Sequence, residues 1–173
     1  EMLADWPEDD RIDLHEELSV LTMRVITQSL FSRDTDREEA IAVNDALETF
    51  SEEFQPSIAD VLLPEQLQPG PSPEFEAADE VLEGVAEDFV DWHREHPDPP
   101  EDMLTALIEA KADPEIELSE NELVDEAVLF MTGGQETTAL TITYAFYWLS
   151  EHPEIRERVA EEARTVLDGA APT

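Results

Sequence analysis

The stretch "VLFMTGGQETTALTITYAFYWL", Val128 to Leu149, decides the fold. It has the length and apolar content of a buried helix, yet Gly133, Gly134, Gln135, Glu136, Thr137 and Thr138 occupy its middle. A helical glycine costs about 1 kcal/mol relative to alanine, and threonine is mildly unfavourable. Adjacent glycines are a recognised place for a helix to kink or for another group to approach its backbone. The flanks, Ala127 to Met131 and Ala139 to Leu149, are apolar nearly all round, which predicts central burial. A carboxylate at Glu136 in such surroundings needs hydrogen-bonded partners or a proton. Two readings follow. In one, the glycines mark a close helix crossing and Glu136 reaches surface water. In the other, a large flat ligand lies against the helix, with Glu136 and Thr137 handling protons. A phosphate loop is excluded, because its lysine and spacing are lacking and no strand leads in.

Helical periodicity continues in both directions. Ser119 with Glu122 makes a capping box that starts this helix. It runs to about Ser150, or ~48 Å at 1.5 Å per residue. His152-Pro153 breaks it, "PEIRERVAEEARTVL" restarts with Pro153 in the first turn, and Gly169 closes that segment. Upstream, "IDLHEELSVLTMRVITQSLF" places Leu14, Leu18, Leu21, Val25 and Leu30 near one face. Asp34 or Thr35 offers a cap for "REEAIAVNDALETFSEEF", where Ile41, Leu47, Phe50 and Phe54 repeat the pattern. Gln55 to Pro73 carries five prolines and a glycine and reads as a loop, with one short turn over Ile58 to Leu62. "EFEAADEVLEGVAEDFVDWHREH" is an amphipathic helix with Val81, Val85, Phe89 and Trp92 on its stripe. "EDMLTALIEAK" is a short helix and "ADPEIE" a turn. Strand signals and internal repeats are absent. The fold class is all-α.

The chain has 173 residues, 41% of them hydrophobic, enough for one packed domain. Nine Lys and Arg stand against 45 Asp and Glu, a formal charge of −36, and Lys111 is the single lysine. Such a surface excludes nucleic acid and anionic lipid as partners, since both require cationic side chains. An acidic tail, a docking surface for a basic partner and adaptation to salt compete as explanations. The acidic residues are spread from Glu1 to Asp168 between apolar positions, which removes the tail. Self-repulsion of this size is screened in concentrated salt, so a halophile's protein is expected. With no cysteine, the chain has no disulfide, thiolate zinc site or cysteine nucleophile. No signal-peptide pattern or bilayer-length apolar run is present, and the expected location is cytoplasmic, without membrane contact.

Smaller constellations read as structural. His93 and His96 sit three apart beside Glu95 with no third metal ligand marked, and are expected at a solvated helix end. "DTDREEA" opens like a calcium loop, but Glu39 stands where the turn needs glycine. Glu80, Glu83, Glu87 and Asp91 form a hydrated acidic face, and Trp6, Trp92 and Trp148 are core or interface residues. Glu8 with Arg11 and Glu161 with Arg164 are expected as surface pairs.

"MTGGQETTALTITYAFYWLSEHPEIRERVAEEARTVL" resembles the long central helix and following helix of the cytochrome P-450 family, the heme-thiolate monooxygenases. Gly133, Gly134, Glu136, Thr137 and Thr138 match the family pattern position by position, as do Leu149, His152, Pro153, Glu161 and Glu162. "LSENEL" resembles the approach to that helix. "IDLHEELSVLTMRVITQSLFS" resembles an earlier helix that usually ends in Leu-Phe-Gly, with Ser32 in place of the glycine. The proline-rich 55–73 stretch falls where the family resembled has the loop between two mobile helices covering the substrate.

The resemblance implies that residues 1–173 are the central helical portion of one domain, with the family's early strands and heme-binding loop outside this chain. It implies heme as cofactor, with Gly133 and Gly134 letting the helix pass close over it and Thr138 beside them. Thr137 would hold a helix distortion and donate a hydrogen bond to oxygen at the iron. Glu136 would relay protons from water, the usual acid-base logic beside a cofactor. Gln135 and Thr132 depart from the pattern. The complete protein would insert one oxygen atom from O2 into an apolar small molecule, with electrons from a ferredoxin or flavin reductase. The thiolate ligand is a cysteine, which this chain lacks, so alone it is expected to be inactive. The alternative is a non-catalytic truncated helical remnant or an acidic partner-binding helical protein.

Overall fold

In the computed structural model, which describes residues 11–53, 70–96 and 98–168, six α-helices follow one another and no strand occurs among the described residues. They are α1 (Leu14–Phe31), α2 (Arg37–Glu53), α3 (Pro73–Glu95), α4 (Met103–Ala112), α5 (Glu120–Glu151) and α6 (Pro153–Leu167). Local chemistry sets their starts, because the first backbone N–H groups of a helix need outside acceptors. The Asp13 carboxylate accepts from the His15 and Glu16 amides, Ser72 from Phe75 and Asp102 from Thr105. Ser119 and Glu122 form the expected reciprocal capping box. For α2 the cap is Asp36, which accepts from Glu39 at 2.9 Å, rather than Asp34 or Thr35. Thr35 is buried and donates to the Thr27 hydroxyl at 2.8 Å, so its side chain is spent inside the fold.

Helix α1 packs chiefly on α5, and α2 on α3. Met23, Phe31, Leu82, Leu104, Leu123 and Met131 fill the space where α1, α3, α4 and α5 meet. The rings of Phe31 and Phe89 lie 5.6 Å apart in that core.

The buried stripes differ in detail from the periodicity. On α1 the core face holds Leu18, Val20, Met23 and Phe31 with Ser19, Thr22 and Thr27, while Val25 is 52% exposed. Threonine fits there because Thr22 donates to the Leu18 carbonyl and Thr27 to that of Arg24, leaving no hydroxyl unpaired. On α3 the stripe is Ala78, Leu82, Ala86, Phe89, Val90 and His93, and Val81 faces out. The alanines offer little apolar signal but turn toward the neighbouring helices, carrying the buried face one residue past Val81, Val85 and Trp92. On α2 Leu47 is buried as expected, and Ile41 and Phe50 pack at its edge. Phe54, the proline-rich loop up to residue 69, Trp6, Glu8 and Gly169 lie outside the described residues.

The acidic face of α3 is exposed, as read from the sequence. Glu83 has its carboxyl pKa raised, first by partial desolvation and then by Asp79, Asp125, Glu87 and Glu80. A raised carboxyl works against the fold above its folded pKa, where it must carry the charge its neighbours oppose, and the penalty fades as pH falls through that value. Glu83→Gln is therefore expected to raise the urea midpoint at neutral pH in dilute buffer. The gain should shrink as potassium chloride is added and the neighbouring charges are screened. An equal gain at all salt concentrations would rule out repulsion as its origin.

Candidate functional site

The 32-residue helix α5 runs without a break through Gly133 and Gly134. Its threonines bond back to its own carbonyls. Thr132 donates to the Val128 carbonyl, Thr137 to Gly133 at 3.1 Å and Thr141 to Thr137, each one turn back.

The two glycines do different work. A Cβ on Gly134 would lie 2.8 Å from Cδ1 of Ile26, so its bareness serves the crossing with α1. A Cβ on Gly133 would meet nothing within 4 Å. Gly133 shares an exposed face with Leu129, Thr137, Leu140 and Tyr144, spaced at three to four residues. Glu136 and Thr138 are exposed as well. Thus the crossing and the solvent-facing carboxylate of the first sequence reading are both present, beside a bare apolar face of the kind the second reading requires. The Thr137 hydroxyl proton is committed to Gly133, which leaves its oxygen as an acceptor toward that face.

Central burial of Ala139 to Leu149 does not hold. Ala139 is buried, but Tyr144 is 61%, Phe146 50% and Trp148 57% exposed, and no residue of α6 is buried. Helix α1 reaches this half at Thr143, whose hydroxyl lies 3.4 Å from His15 Nδ1. An apolar half-helix left open on this scale marks a surface made to be covered.

Behind Glu136 lies an open cleft of ≈ 430 Å³ between α1, α2 and α5. His15, Glu16, Asp45, Glu48, Thr132 and Glu136 are among its lining residues, which makes it polar and strongly acidic. Gln135, a departure from the family pattern, points inward: it is 3% exposed, and its Nε2 donates to Asn44 Oδ1 at 2.5 Å. Nothing in the periodicity marked Asn44, whereas Leu129 was legible as one turn before Gly133.

The paired histidines are engaged by protein groups. His93 is buried, with Nδ1 2.7 Å from the Phe89 carbonyl oxygen and Nε2 2.9 Å from the Asp102 carboxylate. His96 instead donates to the Trp92 carbonyl. No cluster of three or more His, Cys, Asp or Glu able to hold a metal occurs among the described residues. Arg164 pairs with Glu157 rather than Glu161, and Asp36 caps α2 rather than opening a calcium loop. No described helix is long and apolar enough to cross a membrane.

The sequence profile of one family, Cytochrome P450, matches residues 2–173. Pentalenene oxygenase of Streptomyces avermitilis is 30% identical over 98% of this chain and 38% of its own length. Cyclooctat-9-en-7-ol 5-monooxygenase of Streptomyces melanosporofaciens is 27% identical over 99% of the chain and 38% of its length. A bifunctional cytochrome P450/NADPH–P450 reductase of Gibberella moniliformis is 34% identical over 88 residues, 50% of the chain and 8% of that protein. The chain thus spans well under half the length of these relatives.

Proposed function

The chain belongs to the cytochrome P450 family, and on that premise we propose that it builds the distal heme wall of a monooxygenase acting on an apolar organic molecule. The observation that carries this reading is the face of α5 around Gly133, with room for a flat ligand and apolar Leu129, Leu140 and Tyr144 beside it. Heme would supply the oxygen-activating chemistry, with its thiolate ligand from a cysteine outside these residues.

The roles of this chain's residues follow from their places. Gly133 keeps the backbone bare so that a flat ring can approach. The Thr137 oxygen, its proton held by Gly133, accepts a hydrogen bond on that face. Glu136, exposed between the face and the acidic cleft, exchanges protons with water. Gly134 sets the distance to α1 through Ile26, and Thr138 lies on the exposed flank. The uncovered aromatic half of α5 and the apolar residues of α6 receive the remainder of the fold. Electrons come from a ferredoxin or flavin reductase, and the surface charge fits the cytoplasm of a salt-rich cell.

The test is the reduced carbon-monoxide difference spectrum of the complete protein encoded in frame with these residues. A thiolate-heme band from that protein, and none from the 173 residues alone, is the expected pair of results. A complete protein without the band would refute the reading. With the band intact, Glu136→Gln should slow turnover about 10²-fold. An unchanged rate would remove Glu136 from proton handling.

A further inference from the structure

The buried end of Gln135 has no counterpart in the roles above. A primary amide taken out of water must be paired, and this one reaches across to a different helix for its partner. Asn44 sits where the apolar side of α2, with Val43, Ala46 and Leu47 in the core, gives way to the polar edge of Asp45 and Glu48. On α5, Gln135 lies between Gly134 and Glu136. The Asn44–Gln135 bond therefore crosses the cleft at the turn that carries the site, joining walls that elsewhere face each other across open, acidic space.

We propose that Asn44 and Gln135 are positioning residues whose hydrogen bond latches α2 to the glycine turn of α5 and fixes the cleft width beside Glu136. Neither touches the face around Gly133 by this geometry; both act through the placement of α2 and of the turn. The consequence at the heme rests on the proposed function, in which Glu136 stands between the cleft and the heme-facing side of α5. The latch itself does not.

Two measurements separate these layers. The first is a double-mutant cycle on the 173-residue chain, unfolded by urea in concentrated potassium chloride, with Asn44→Leu, Gln135→Leu and both together. A fourth variant, Asn44→Gln with Gln135→Asn, exchanges the side chains and keeps their combined length. Each single change should raise the unfolding equilibrium constant roughly three- to tenfold, the double should be no worse than the poorer single, and the exchange should regain most of the loss.

The second measurement is carbon-monoxide rebinding after photolysis in the complete heme protein. Loosening α2 should raise the bimolecular rate roughly three- to tenfold in each single variant, and the exchange should return it. Additive effects in the cycle would overturn the latch, and an unmoved rebinding rate in band-positive single variants would overturn its control of the cleft beside the heme. Absence of the band from the wild-type protein would overturn the heme reading instead, and the urea cycle would then decide the latch alone.

Discussion

Asp102→Ala is expected to destabilise the chain by about 2–4 kcal/mol, measured by urea unfolding at neutral pH. Two losses add. The first is the cap of α4, where the Asp102 carboxylate accepts the Thr105 N–H at 2.9 Å. The second is the acceptor for His93 Nε2, with a side chain only 1% exposed that would keep a buried polar nitrogen and no partner. The same carboxylate thus ties the end of α3 to the start of α4. Burial pushes the Asp102 pKa up, but the bonds from Thr105, His93 and Ser32 outweigh it and hold the carboxyl below the ordinary 3.8. Its contribution is therefore fully present above that value and is lost as pH falls through the lower folded value. Asp102→Asn keeps an oxygen for Thr105 and offers His93 a donor in place of an acceptor. It should cost less than alanine, and its deficit relative to wild type should vanish in acid. A deficit that persists unchanged down to pH ~2, below any ordinary carboxylate value, would show that this carboxyl is not the titrating group.

This knot also shows where sequence reading stops. Among the described residues helix existence was legible, since the capping box at Ser119, the break at His152-Pro153 and the acidic amphipathic segments are local signals. The family was legible from Gly133 to Thr138 with the residues that follow. Asp102 and His93 lie nine residues apart across a loop, and periodicity ranks a histidine at a helix end as solvated. Ser32 explains its own departure only in three dimensions. It sits at the C-cap of α1 with φ 50°, a left-handed position that favours glycine. Its side chain is among the groups that lower the Asp102 pKa. The exposed half of α5 differs for another reason: apolarity all round a helix predicts cover, but it does not say which part of a fold supplies it.

Adjacent glycines should respond to substitution with opposite signs. Gly133→Ala is expected to stabilise the isolated chain by up to about 1 kcal/mol, because the added methyl meets open space and the helical backbone loses less entropy. Gly134→Val is expected to destabilise it by about 1–3 kcal/mol, because its Cβ starts 2.8 Å from Ile26 Cδ1 and its branches add to the crowding. The cause can be isolated by removing the opposing atom. Ile26→Val deletes Cδ1 and leaves the next carbon, whose 3.4 Å separation is close to ordinary contact. Gly134→Ala should then be stabilising when combined with Ile26→Val. With Ile26 intact it should be close to neutral, because helix propensity and crowding oppose each other. In the complete heme protein the order should reverse for function. Gly133→Ala, the stabilising change, places a methyl on the proposed heme face and should weaken the carbon-monoxide band or shift apolar ligand binding. Gly134→Ala with Ile26→Val should leave both unchanged, since its methyl is turned to α1. Equal behaviour of the two glycines in urea would refute the α1 crossing. Equal behaviour in the heme protein would refute the assignment of the ligand face to Gly133, because the two positions differ above all in what lies opposite them.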